Sequence, residues 1–169
     1  MVCADRAKAI HRWENMRDFM PWMKKYEVGH KELDAEHRNL VAAINKISAA
    51  ESAGVARAQL ELLLIFFTHL AENHLRSEDS ILRRINSGPL PQVPDRHAFL
   101  NAMVGAAIAE HLVSHSKSRS RLNEIVRSFR PGGSSTDSSL APALKSWFID
   151  HALGYDARLW DVFNCMGSA

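Results

Sequence analysis

The sequence predicts an all-α fold, an antiparallel up-down-up-down four-helix bundle with an irregular N-terminal arm. Apolar residues recur at steps of three and four in four separate segments, as on the buried face of a helix. Breaks rich in glycine, proline or serine separate these segments. No strand-like alternation of useful length and no internal repeat competes with this interpretation.

The first two helices are predicted over residues 34–52 and from after Gly54 to about residue 87. Asp34 is expected to act as the N-cap of the first helix. Its apolar stripe contains His37, and the stripe of the second helix contains His74 and Glu78. Ligand-type side chains are therefore expected on buried faces of both helices.

The third and fourth helices follow two further breaks. The third is predicted to carry His111 and His115 and to end before Pro131. The fourth opens near Ser138, with Pro142 in its first turn. One side of the fourth helix is expected to present an apolar and aromatic stripe with a histidine, namely Leu144, Trp147, Phe148, His151, Tyr155 and Leu159.

Length and composition indicate one soluble domain over residues 1–169, with residues 1–30 as the arm. Hydrophobic residues make up 46% and charged residues 24% of the chain. No apolar run is long enough to span a bilayer and no signal-peptide pattern is seen, so we expect a cytoplasmic protein without a membrane partner. The net charge of +2, without a basic stripe interleaved with aromatics, indicates no nucleic-acid partner.

The chemistry is expected to reside in the histidines, of which the chain has nine. His74 and Glu78 are four residues apart, as are His111 and His115, and this spacing stacks both members of a pair on one helix face. One such pair is weak evidence. With a rise of about 1.5 Å per residue, however, His37, His74, His115 and His151 all fall roughly 20 to 30 Å from the turns at one end of the bundle.

Three more carboxylate and imidazole positions fall within one or two turns of the same layer. Glu78 and His111 belong to the pairs above, and Asp156 follows His151 by five residues. On a regular helix Asp156 would point about 140° away from His151. We therefore expect Gly154 to unwind the helix locally and turn the carboxylate inward.

Imidazole and carboxylate ligands without thiolate suit iron, manganese or zinc, and the residues alone leave these metals open. The absence of a repeated Glu-x-x-His motif argues against the carboxylate-rich ferritin-like di-iron proteins. The remaining histidines, His11, His30, His69 and His97, are expected to be ordinary surface or packing residues.

Together, four motifs over residues 22 to 160 resemble the hemerythrin family. They are LDAEHRNLVAAIN around His37, His74-x-x-x-Glu78, His111-x-x-x-His115 and His151-x-x-x-x-Asp156. The resemblance implies two non-haem iron ions with an oxo or hydroxo bridge, held by His37, His74, Glu78, His111, His115, His151 and Asp156. It further implies that His37 and His74 hold one iron, that the other three histidines complete the second, and that the carboxylates bridge them.

The same resemblance implies that dioxygen binds at the iron held by His37 and His74. Trp147 matches a further family position, and Phe148 stands where the family commonly has a leucine beside the bound gas. A dioxygen carrier, store or sensor is the favoured interpretation over an enzyme. A di-iron oxidase or peroxidase and an iron store stay open as alternatives, and a sensor or oxidase would need a signalling or redox partner protein.

Thirty-two residues separate Glu78 from His111, more than the family usually has between these ligands. We hypothesise that residues 87–105 form an insertion near the metal end that caps the site and tunes access to it. The alternative is a longer third helix that overhangs the bundle.

Overall fold

The computed structural model describes residues 18–87, 97–129, 139–160 and 163. Four helices account for most of them: α1 Lys31–Ser52, α2 Arg57–Ser87, α3 His97–Phe129 and α4 Leu140–Gly154. Short 3-10 turns lie at Lys24–Tyr26 and Asp156–Arg158. No strand occurs within these ranges, so the predicted all-α four-helix fold is confirmed.

Each helix packs against its two neighbours in the order α1, α2, α3, α4 and back to α1. Contacts between the helix ends show the direction of the helices. Arg57 at the start of α2 donates to the carbonyl of Phe129 at the end of α3, and the last turn of α1 bonds to the first turn of α4 through Glu51 and Leu140. Neighbouring helices therefore run in opposite directions.

The bundle core consists of two apolar clusters on either side of a polar layer. The larger cluster includes Leu40, Phe67 and Trp147, and the smaller one includes Leu82 and Ile108. Between them lie buried histidine and carboxylate side chains from all four helices and from the turn after α4. The fold therefore brings the polar layer out of contact with bulk water.

Residues 18–30 of the predicted N-terminal arm lie across α1. The Met20 N–H donates to Asn45 Oδ1 at 2.8 Å, and Asn45 Nδ2 donates to the Met20 carbonyl at 3.0 Å. Tyr26 further along the arm is buried. The first part of the arm, residues 1–17, lies outside the described residues.

The expected N-cap of the first helix is wrong. The helix begins at Lys31, three residues earlier than predicted, with His30 as its N-cap in an extended conformation. Asp34 lies within the first turn, and its Oδ1 accepts the Val28 N–H at 2.7 Å. The Asp34 carboxylate therefore fixes the chain that enters the helix, and the Asp34 backbone N–H donates to the His30 carbonyl.

Residues 97–105 of the hypothesised insertion belong to α3, as in the alternative of a longer third helix. Residues 88–96 lie outside the described part of the chain, and a role of the segment in access stays a prediction. None of the described helices is both long and apolar enough to cross a bilayer.

Glu51 is expected to stabilise the fold by capping α4 from α1. Its carboxylate accepts the backbone N–H groups of Leu140 and Ala141 and the Ser139 hydroxyl. We expect Glu51→Ala to lower the free energy of unfolding by about 1 to 2 kcal/mol, measured by urea denaturation. Glu124→Ala, on the exposed face of α3, should change it by less than about 0.5 kcal/mol. Equal losses in the two variants would show that the cap contributes nothing.

Candidate metal centre

The seven side chains predicted as ligands meet in the polar layer of the bundle. Each is at most 4% exposed. One comes from α1, two each come from α2 and α3, one comes from α4 and one from the 3-10 turn after it: His37, His74, Glu78, His111, His115, His151 and Asp156. Their convergence is what the sequence spacing predicted, and the ligand role itself stays a proposal.

One group of donors forms around Asp156. The Oδ2 atom of this carboxylate lies 3.1 Å from His37 Nε2 and 3.2 Å from His151 Nε2. His74 Nε2 lies 3.2 Å from the Nε2 atom of His37 and 3.1 Å from that of His151. All three rings therefore turn their Nε2 atom inward.

A second group forms around Glu78. Its Oε1 lies 3.2 Å from His111 Nε2, and its Oε2 lies 3.1 Å from His115 Nε2. The two imidazole nitrogens lie 3.0 Å apart. His151 Nε2 is 3.6 Å from Glu78 Oε2, so this ring faces both carboxylates.

The donor atoms are close enough to share cations. Ligand atoms of His74, Glu78, His151 and Asp156 all lie within 4.8 Å of one another, as do those of Glu78, His111 and His115. Glu78 Oε1 and Asp156 Oδ1 are buried and accept no hydrogen bond. Since a buried carboxylate oxygen without a partner is costly, the two oxygens fit a metal ion as their missing partner.

Carboxylates outside the layer hold two of the rings from behind. His74 Nδ1–H donates to Glu36 Oε2 at 3.1 Å, and Ser77 donates to the other oxygen of Glu36 at 2.7 Å. His115 Nδ1–H donates to Asp79 Oδ1 at 2.6 Å. Such partners fix the ring orientation and tautomer so that Nε2 is free to bind a metal.

Neutral groups lie behind two other rings. His37 Nδ1–H donates to the Tyr26 carbonyl at 2.6 Å. His151 Nδ1 lies 3.4 Å from the Ser118 hydroxyl. The sequence analysis did not identify any of these outer partners, and the only signal available was that Glu36 and Asp79 each adjoin a predicted ligand along the chain.

The histidines and carboxylates of the layer shift one another's pKa values. Burial raises the pKa of Glu78, but the neighbouring imidazoles of His111 and His115 hold that pKa well below its ordinary value. Burial lowers the pKa of His74, but Asp156, Glu36 and Glu78 together raise it to about 10. A positive charge next to the ionised carboxylates is therefore favourable, and a metal cation can supply it.

The remaining predicted site residues contact the layer through their rings. Trp147 stacks on His151 with ring centroids 5.7 Å apart, and its indole N–H donates to the Ser118 carbonyl at 2.8 Å. Phe148 meets the His37 ring edge-on at 5.4 Å and the Tyr26 ring at 5.3 Å. Both residues therefore lie beside the candidate centre, one behind His151 and one beside His37.

Asp156 reaches the layer because α4 ends before it, as expected, but the irregular residue is not the expected one. Helix α4 ends at Gly154, and Tyr155, its C-cap, has the angles φ −119° and ψ −56° before the 3-10 turn begins. A Cβ at position 154 would meet no atom within 4 Å. Glycine is therefore not required there, and the bend is made at Tyr155.

Two of the other histidines lie away from the layer. His69 is exposed on α2, as expected. His30 is half-buried and packs against Phe163 with ring centroids 5.3 Å apart. His11 lies outside the described residues, and the side chain of His97 is not described.

Comparison with known proteins agrees with this geometry. The model of the hemerythrin HHE cation-binding domain family matches residues 28–159, which contain all seven side chains of the layer. No curated protein and no solved structure matches the chain in the corresponding comparisons. Because the family model covers most of the chain, the chain belongs to the hemerythrin HHE cation-binding domain family.

Proposed function

We propose that the chain is a cytoplasmic non-haem di-iron protein that binds dioxygen reversibly, as a carrier, a store or a sensor. The observation that carries the proposal is the buried layer of five inward-facing imidazole nitrogens and two carboxylates with unpaired oxygens. Family membership supports cation binding. The proposal goes further than cation binding in three respects: the metal is iron, each chain holds two ions, and the ligand is dioxygen.

In the proposed arrangement, His37 and His74 hold one iron ion, and the other three histidines hold the second. Glu78 and Asp156 bridge the two. The positions of Glu78 Oε2 and Asp156 Oδ2, each within 3.8 Å of His74 and His151, support a bridging role. Imidazole-rich coordination suits iron that must return to its ferrous state after binding.

The iron ions supply the electrons and the open coordination position that dioxygen binding needs. The protein supplies the surroundings. Phe148 forms an aromatic wall beside His37 and donates no proton there. A dry wall without a proton donor favours release of the gas over its reduction, because reduction consumes protons.

Rapid mixing of the ferrous protein with dioxygen tests this function. We expect a long-lived oxygenated absorption spectrum that disappears when dioxygen is removed. Rapid oxidation with continued consumption of a reductant would indicate an oxidase instead, and an iron-loaded protein without any reaction would indicate a store.

Metal content tests the ligand set. We expect the iron-reconstituted protein to retain about two iron ions per chain after a chelator wash, and Glu78→Gln to retain fewer than about one, because a bridging carboxylate serves both ions. Glu72→Gln, one and a half turns earlier on α2 and paired with Arg119, is the matched control and should retain both. Full iron content in Glu78→Gln would contradict the proposed bridge.

The carboxylates behind the rings should tune metal affinity. We expect Asp79→Asn to weaken iron binding by about 10- to 100-fold, because the His115 ring loses its charged partner. A competition titration with a coloured chelator measures the change. Glu110→Gln removes a carboxylate that pairs with Arg158 at the surface and should leave the affinity unchanged. A loss in both variants would mean that the carboxylates act through overall charge.

The aromatic wall should control oxidation. We expect Phe148→Leu to bind dioxygen and to oxidise irreversibly severalfold faster, because a smaller side chain admits water beside His37. The decay of the oxygenated spectrum measures the rate. Phe129→Leu, at the end of α3 beside Arg57, is the control for loss of an aromatic ring. Identical decay in Phe148→Leu and the unaltered protein would remove Phe148 from the proposed gas site.

A further inference from the structure

A groove between α3 and α4 opens next to the candidate metal centre. Its volume is about 620 Å³, within the range of small-molecule sites. Two buried residues of the centre, His151 and Trp147, form part of its lining. A molecule in the groove would therefore lie against a proposed iron ligand.

The two halves of the centre differ in their access to such a molecule. His37 and His74 are 0% exposed. His111 lines a smaller cavity of about 30 Å³ on the same α3–α4 face, which shares Tyr155 with the groove. The half of the proposed centre that contains His37 and His74 is therefore buried, whereas the half that contains His111 and His151 adjoins cavities on the α3–α4 face.

The groove carries positive charge. Lys117, Arg121 and Arg158 line it, with Asp150 as the acidic residue among its described lining, and Arg158 is paired with Glu110 just outside it. Arg121 is held by Asp150 and Ser146 across the helix pair. Lys117 forms no ion pair with any residue in the described ranges, so its ammonium group can bind an external anion such as a phosphate.

The rest of the lining suits a flat ring. Ile149 and Leu153 contribute apolar surface, and Tyr155 contributes an aromatic side chain. Cationic groups beside an apolar and aromatic surface are a common combination in sites for planar molecules with a phosphate. Below this surface Trp147 stacks on His151, which provides a short path of rings towards the centre.

We propose that the α3–α4 groove binds a reduced flavin that carries a phosphate and that this flavin passes electrons to the metal pair through His151. The proposal rests on the proposed di-iron function. The flavin loses two electrons and two ring protons and becomes oxidised. Its two electrons would reduce a pair of ferric ions held by the centre to ferrous ions, one electron to each, and the protons would pass to solvent.

Equilibrium binding tests the site without any electron transfer. Oxidised flavin mononucleotide is titrated with the iron-loaded protein and with the zinc-loaded protein, and flavin fluorescence reports binding. We expect flavin mononucleotide to bind more tightly than riboflavin, which has the same ring system but lacks the phosphate.

A charge reversal locates the site. Lys117→Glu should weaken binding of flavin mononucleotide by about tenfold, with binding of riboflavin unchanged. Arg83→Glu makes the same charge change on the exposed surface of α2 and should have no effect, and circular dichroism checks that both variants fold. Equal binding of the two flavins, or an equal effect of the two variants, would overturn the proposed phosphate contact.

Reduction kinetics test the electron path. Under anaerobic conditions, reduced flavin mononucleotide should reduce the ferric protein at a rate that saturates with flavin concentration. Lys117→Glu should slow this reaction at low flavin concentration and leave reduction by riboflavin unchanged. Binding without faster reduction would overturn the electron path.

The two proposals fail in distinguishable ways. A protein that binds flavin mononucleotide through Lys117 but retains no iron would refute the di-iron function, and with it electron delivery, while it supports the flavin site. A protein that holds iron and binds dioxygen but ignores flavin mononucleotide would refute the groove alone.

Discussion

The structure depends on the cost of burying five imidazoles and two carboxylates inside an apolar bundle. Each such group loses its hydration, and the loss is tolerable only if charge and hydrogen bonds are shared within the layer. Asp156 accepts contacts from rings on different helices at 3.1 to 3.2 Å, and Glu78 does the same for α3. The polar layer therefore fixes which helix faces turn inward and at what height.

Much of this arrangement could be predicted from the sequence because helical periodicity and length determine it. The spacing of His74 from Glu78 and of His111 from His115 predicted shared faces, and counting residues from the turns predicted a shared layer. Local geometry at helix ends could not be predicted in this way. Asp34 was a plausible N-cap by residue type, yet it lies inside the first turn and accepts the Val28 N–H from there. The change from helix α4 to the 3-10 turn before Asp156 lies at Tyr155 and not at Gly154.

The outer partners of the rings were also beyond sequence reasoning. Glu36 and Asp79 belong to the large class of half-buried helical carboxylates, and only their positions across the helix interface distinguish them. The Tyr26 carbonyl is a backbone group that any residue would supply, so its contact with His37 leaves no mark on the sequence. These partners make four of the five rings unequal. One ring in each proposed iron site, His74 or His115, is backed by a carboxylate, whereas His37 and His151 have neutral groups behind them.

The donors of the layer are also far apart along the chain. His37 and Asp156 lie 119 residues apart in sequence, yet their side chains are 3.1 Å apart. No fragment of one or two helices contains the whole set, so the site exists only after the complete bundle has assembled. Because the site needs every helix, local unfolding of any one of them also disrupts the site. A chain that loses one helix would therefore lose part of the proposed ligand set, and the proposed metal centre would come apart together with the fold.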